Sequence, residues 1–142
     1  MEEFQVSEEI ATGEMSLAAR GDSLEGLFRA TAKGLFETMV DTEEVRPEIG
    51  KELLLSADSI DRLLFHWLSE LIQLRDRESL YFSFFEVKIE RGPRHRIQGV
   101  AMGELIDPTR HPVRNEVAAI RSNPFQIVRQ SEAWQVNILF DR

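Results

Sequence analysis

The side chains best able to do chemistry in this sequence are its carboxylates. The 142 residues include 25 Asp and Glu, three histidines and no cysteine. Without a thiol there is no disulfide framework, no thiolate zinc or iron–sulfur centre and no Cys nucleophile. His66, His95 and His111 are not at metal-ligand spacing from one another. His66, beside Trp67 in a helical pattern, reads as a packed side chain, and His95 after a turn reads as solvated. The chain lacks a phosphate-binding glycine loop, the dinucleotide fingerprint, His-Glu-x-x-His and Gly-x-Ser-x-Gly. Asp41, Glu43 and Glu44 cluster without the ordered alternation of a calcium loop. Tyr81, Phe82, Phe84 and Phe85 are close enough to stack bases, but Glu86 and Glu90 offset Lys88 and Arg91. That pattern favours a strand buried against helices.

The elements that position these groups follow from periodicity. Phe4 to Ser7 and Glu14 to Arg20 read as short strands. Asp22-Ser23-Leu24-Glu25 has capping-box spacing, with Glu25 able to reach back to the Asp22 amide. Leu24, Phe28, Leu35 and Met39 form the stripe of a first helix running to about Asp41. Gly34 either weakens that helix by about 1 kcal/mol or lets a neighbour pack close. A strand follows from Lys51 to Ala57. Asp58-Ser59-Ile60-Asp61 opens a second helix, whose Ile60, Leu63, Leu64, Trp67, Leu68, Leu71 and Ile72 repeat at helical spacing. Strands are expected at Leu80–Glu90, Arg94–Glu104, Glu116–Arg121, Phe125–Arg129 and Trp134–Phe140, with a hairpin turn at Gly92-Pro93 and a loop from Asp107 to Arg114. Consecutive late strands after two helices predict an α+β fold, with two amphipathic helices on one face of a largely antiparallel β-sheet.

Length predicts one domain over residues 1–142, large enough to bury a core unaided. Net charge is −8. Residues 1–79 hold 8 basic and 18 acidic side chains, while residues 80–142 hold 9 basic and 7 acidic. Such a surface repels phosphate backbones, so no direct nucleic-acid binding is expected. The acidic first half suits either docking on a basic protein surface or simple solubility. The longest apolar run, Leu63 to Leu68, is too short for a membrane span, and Met1-Glu2-Glu3-Phe4 lacks the basic start of an export signal. A cytoplasmic setting is expected.

Two stretches together resemble the archease family. The first is Thr12-Gly13-Glu14, Leu17, Gly21-Asp22-Ser23-Leu24-Glu25-Gly26-Leu27-Phe28, Phe36, Met39-Val40-Asp41 and Val45-Arg46-Pro47. The second is Gly103-Glu104-Leu105-Ile106-Asp107-Pro108, His111 and Glu116-Val117. Order and gaps also fit between them, so the resemblance spans nearly the whole chain. It implies a single archease-like α+β domain and a small acidic accessory protein that is not itself an enzyme. Its partner would be the RNA ligase of tRNA splicing and RNA repair. The accessory protein would promote guanylylation of the ligase's active-site histidine and support turnover. The alternative is a divergent binding or chaperone-like module that has lost the cation and acts on another partner, such as a tRNA-modifying methyltransferase. A hydrolase built on paired carboxylates and a metal is the remaining, weaker reading.

The resemblance also implies a divalent-cation site, with Ca²⁺ the expected ion. Carried over by position, its ligands are Glu14, Asp141 and the terminal carboxylate of Arg142. Carboxylate oxygens suit such hard cations. The Arg142 guanidinium is a competitor able to pair with Asp141 or Glu14. Glu104 is expected to cap a strand end and His111 to orient the Asp107–Arg114 loop. The chain departs from the family at Ile10 and Ala11, where an acidic residue and His are usual. It departs again at Ala118-Ala119-Ile120-Arg121-Ser122-Asn123, where the family has Lys-Ala-x-Thr-Tyr-His.

Overall fold

Two serines start the helices. The computed structural model describes residues 1–9, 11–122 and 125–142; Ile10 and Asn123 of the departures lie outside them. Ser23 accepts from the Gly26 amide at 3.0 Å to open α1 (Leu24–Met39), and Ser59 accepts from the Arg62 amide at 3.2 Å to open α2 (Ile60–Glu78). The first cap thus falls one residue after Asp22. The Asp22 carboxylate pairs instead with the Met1 amino group at 2.5 Å, and Glu25 accepts from the Ile89 amide at 3.4 Å rather than reaching back. The α2 stripe is as expected, with Leu63, Leu64, Trp67, Leu68, Leu71 and Ile72 buried.

The strands form two sheets rather than the one expected. β1 (Glu2–Glu8), β2 (Met15–Gly21), β8 (Ala133–Asp141) and β6 (Ala119–Ile120) lie side by side, and β7 (Ile127–Gln130) also pairs with β8. The second sheet has the order β3 (Ile49–Ala57), β5 (His95–Leu105), β4 (Leu80–Glu90). Every pairing among the described residues is antiparallel. α1 packs on β1, β2 and β4, so it bridges the two sheets, while α2 lies on β3, β4, β5 and β6. The fold is α+β with helices on antiparallel sheet, as the pattern predicted. No helix among the described residues is long and apolar enough to cross a membrane.

Alternation sorts the first sheet into two faces. Met15, Leu17 and Ala19 of β2 and Val136, Ile138 and Phe140 of β8 are buried, and the residues between them point outward. Gly34 of α1 provides close approach: a Cβ there would lie 2.5 Å from Leu17 Cδ1. In β4 the register shifts between Phe82 and Phe84, which lets Phe82 and Phe85 both face the core. Phe36 meets Phe82 edge-on at 5.4 Å, and Trp67 meets Phe85 at 6.3 Å. The aromatic strand is therefore core, with Phe84 alone of the four exposed.

Gly103 is fixed by the same irregularity. A Cβ on it would sit 1.8 Å from the Tyr81 carbonyl oxygen, a backbone atom with no freedom to move aside. Gly103→Ala is expected to destabilise the protein by about 3 kcal/mol, the upper range for overpacking. Urea unfolding checks this; an unchanged midpoint would mean the β4–β5 pairing can widen freely.

Candidate functional site

The first candidate lies at one end of the five-stranded sheet. β2 and β8 pair so that Ser16 faces Leu139 and Leu17 faces Ile138. Continuing that register by two residues sets Glu14 opposite Asp141. The β1–β2 connection fixes the approach: the Glu9 amide donates to Glu14 O at 2.8 Å, the Gly13 amide donates to Glu9 O at 2.7 Å, and Gly13 has φ +70°. That left-handed conformation suits a residue without a Cβ. On the other side of β8, Ala119 pairs with Asp141, and the Arg121 amide donates to Leu139 O at 2.8 Å. Two-residue periodicity then places Glu14, Asp141 and Arg121 on one outer face, where a long side chain reaches diagonal neighbours.

Arg121 occupies the space between the two acids. Its Nη1 donates to Glu14 Oε2 at 2.8 Å, and its Nη2 and Nε donate to Asp141 Oδ1 at 3.1 and 3.2 Å. Glu14 first, then Asp141, hold the guanidinium pKa above its ordinary value through these bonds. Arg142 takes no part in this bridge. Neighbouring residues of a strand point to opposite faces, and the Arg142 Nη2 donates to Glu8 Oε2 at 2.6 Å. A guanidinium does compete for Glu14 and Asp141, but it is that of Arg121 and not of Arg142. The depression here is small, about 240 Å³, and is lined by Thr12, Glu14, Arg121 and Asp141 among others.

Of the three expected ligands, the structure joins Glu14 and Asp141 through Arg121 and sets Arg142 at the same depression; Arg121 was missed as a site residue. The signal was a basic side chain two positions beyond the strand residue at 119, on the outward parity. The described residues contain no group of three or more Asp, Glu, His or Cys able to hold a metal. Ca²⁺ takes about six to eight oxygen ligands. Glu14 and Asp141 are already bridged by a guanidinium, so even with the terminal carboxylate of Arg142 beside them the set does not fit that requirement while Arg121 stays in place.

A second cluster orders the loop after β5. Glu104, only 8% exposed, accepts from the Arg46 amide at 2.7 Å and pairs with Arg110. His111 is buried, and its Nδ1 accepts the Asp107 amide at 2.9 Å. The ring hydrogen is then on Nε2, which lies 3.0 Å from both Glu104 Oε2 and Glu44 O. Both nitrogens are committed, which leaves His111 structural, with no lone pair free for a metal or a substrate proton. Arg110, then the backbone of Arg46, then His111 hold the Glu104 carboxyl at a pKa of about 2 against burial. Asp107 accepts from the Thr109 amide and hydroxyl at 3.0 and 2.7 Å, bonds that lower its own pKa.

The rest of this loop caps α1. Its last turn has no basic residue, so its open carbonyls need partners from elsewhere. Arg114 supplies Nη1 to Glu37 O at 3.3 Å and its amide to Met39 O at 2.8 Å; Asn115 Nδ2 reaches Thr38 O at 2.9 Å. Asp41 is likewise consumed, accepting from the Glu43 amide at 3.1 Å at the start of a short 3₁₀ turn (Thr42–Glu44). His95, read from sequence as solvated, is half-buried, and its Nδ1 has no hydrogen-bond partner among the described residues.

Comparison with known proteins places the whole chain among relatives. Residues 4–141 match the model of the Archease protein family (MTH1598/TM1083). The chain is 32% identical over 132 residues to the protein archease of Pyrococcus abyssi, covering 92% of this chain and 93% of that one. It is 30% identical over 133 residues to that of Methanosarcina mazei, covering 92% and 90%. The solution structure of Methanobacterium thermoautotrophicum protein 1598 superposes with a TM-score of 0.86 at 29% identity, covering 98% of both chains. A crystal structure of a Thermotoga maritima archease, described as a possible chaperone, has the same fold at a TM-score of 0.56 and 15% identity, over 89% of each.

Proposed function

The chain belongs to the archease family, and from that membership we propose that it is an accessory protein for an RNA ligase of tRNA splicing and repair. It promotes guanylylation of the ligase's active-site histidine and supports repeated turnover, by protein contact and without catalysing a reaction of its own. The observation that carries this reading is the match over residues 4–141. Local chemistry supports it: the buried histidine is bonded at both nitrogens, and the outer-face acids are bridged by Arg121, so neither cluster offers a free base or nucleophile. The acidic balance of residues 1–79 favours a basic protein surface as the docking partner.

The test is single-turnover guanylylation of a ligase from the same source, with and without this protein. We expect a faster rate and more than one turnover per ligase when it is present. An unchanged rate and turnover would remove the ligase role. The replacement of Lys, Thr, Tyr and His across residues 118–123 favours one second reading, a chaperone-like module for another protein such as a tRNA-modifying methyltransferase. Stimulation confined to that enzyme would select it.

A further inference from the structure

We propose that Arg121 is the resident cation of the Glu14–Asp141 site, holding the two carboxylates together in place of a divalent metal. The geometry is that of a forked donor between two acceptors: three N–H···O contacts of 2.8, 3.1 and 3.2 Å reach both acids from a single guanidinium. Charge-assisted bonds of this kind are directional, and a planar fork satisfies them without the oxygen-rich shell that Ca²⁺ demands. Arg121 is also delivered by the backbone. Its amide is bonded to Leu139 O beside β6, so the side chain springs from a fixed point on the carboxylates' own face.

Arg142 lines the same depression, so its terminal carboxylate is the one further anionic group at hand among the described residues there, and the two acids it would join are already bonded to Arg121. Thr12 Oγ1 already accepts from the Glu14 amide at 3.2 Å, and the Arg142 guanidinium near the same depression is paired with Glu8. A divalent ion entering here would meet a fixed positive charge within a few ångströms of its ligands and would have to displace it. The side chains of Glu14, Arg121 and Asp141 are 37%, 37% and 50% exposed, so water and salt screen the bridge. Its consequence is therefore for ion selectivity and not for global stability. The structure trades a metal-dependent acidic pair for one that carries a permanent counter-charge and keeps a net charge of about −1, whatever protein partner the chain serves.

The test is a calorimetric Ca²⁺ titration of the wild-type chain and of R121Q, R121K and R121Q/E14Q, with thermal midpoints measured with and without Ca²⁺. The wild type and R121K are expected to give no saturable heat and no Ca²⁺-dependent midpoint shift. R121Q is expected to bind at least about tenfold more tightly than the wild type, the scale of removing one like charge at short range, and R121Q/E14Q to lose that gain. The midpoints also report whether each variant is folded. Wild-type binding as tight as that of R121Q would overturn the proposal, as would failure of folded R121Q to bind. Neither readout involves a ligase, so a failed guanylylation assay beside these expected calcium results would remove the ligase role and leave the Arg121 assignment standing.

Discussion

Trp67→Ala is expected to lower the free energy of unfolding by about 3–5 kcal/mol, the usual range for removing a large buried aromatic. Trp67 is fully buried, at 0% exposure, and its Nε1 donates to Phe28 O at 3.2 Å, tying α2 to α1. The ring also fills the space left by Gly99, where a Cβ would sit 2.5 Å from Cζ3. One truncation therefore opens a cavity between α1, α2 and β5 and removes one donor from Phe28 O, which keeps the Thr31 hydroxyl at 3.0 Å. Trp67→Phe keeps much of the volume and loses the donor, so it should cost less, by about 1–3 kcal/mol relative to wild type. Urea unfolding monitored by far-ultraviolet circular dichroism distinguishes the two. Equal midpoints for wild type and Trp67→Ala would contradict this assignment of the core.

Glu104→Ala should cost nearly as much, about 3 kcal/mol, because it strands several partners at once. The Arg46 amide, the His111 Nε2–H and the Arg110 guanidinium all direct hydrogens at this carboxylate. Loss of the loop anchor should also loosen the capping of α1 by Arg114 and Asn115. The pH dependence has a defined sign. Glu104 has its carboxyl pKa lowered from 4.5 to about 2 in the folded chain. Its ionised form is favoured by folding, so its contribution is complete above about pH 4.5 and is lost as pH falls through 2. Wild-type stability should therefore fall more steeply than that of Glu104→Gln as pH drops from about 5 to 2. Parallel pH profiles for the two proteins would show that Glu104 is not held in this network.

Local pattern disclosed the helices and most strands. The Leu63, Leu64, Trp67, Leu68 series fixes α2 because a 3.6-residue period needs only neighbouring residues to be visible. β4 was equally clear, at Leu80–Glu90. The expected strand from Glu116 to Arg121 shrinks to Ala119–Ile120, flanked by the Ala118 and Arg121 amides, which donate to Asp141 O and Leu139 O of β8. Division into two sheets was not legible, because which strands pair is set by contacts between residues far apart in the chain. The first helix cap moved by one residue for a similar reason: Asp22 and Glu25 each found a distant partner.

The candidate site divides the same way. The meeting of Glu14 with Asp141 was expected from family resemblance, and the β2–β8 register now accounts for it. In the sequence, Arg121 stands out only as a departure from a family pattern. Its relation to both acids depends on β6 pairing with β8, with Asp141 20 positions on and Glu14 107 positions back, and no local period reports that. Arg142 was a reasonable competitor on proximity alone. Strand alternation, applied to the last two residues, sends it to the opposite face from Asp141 and toward Glu8.

The most direct measurement of the resident-cation account is a high-resolution crystal structure of the wild-type chain grown in millimolar calcium chloride. The Arg121 guanidinium is expected between Glu14 and Asp141, bonded to both. A metal in that position at about 2.3–2.6 Å from the carboxylate oxygens, with Arg121 turned away, would contradict it.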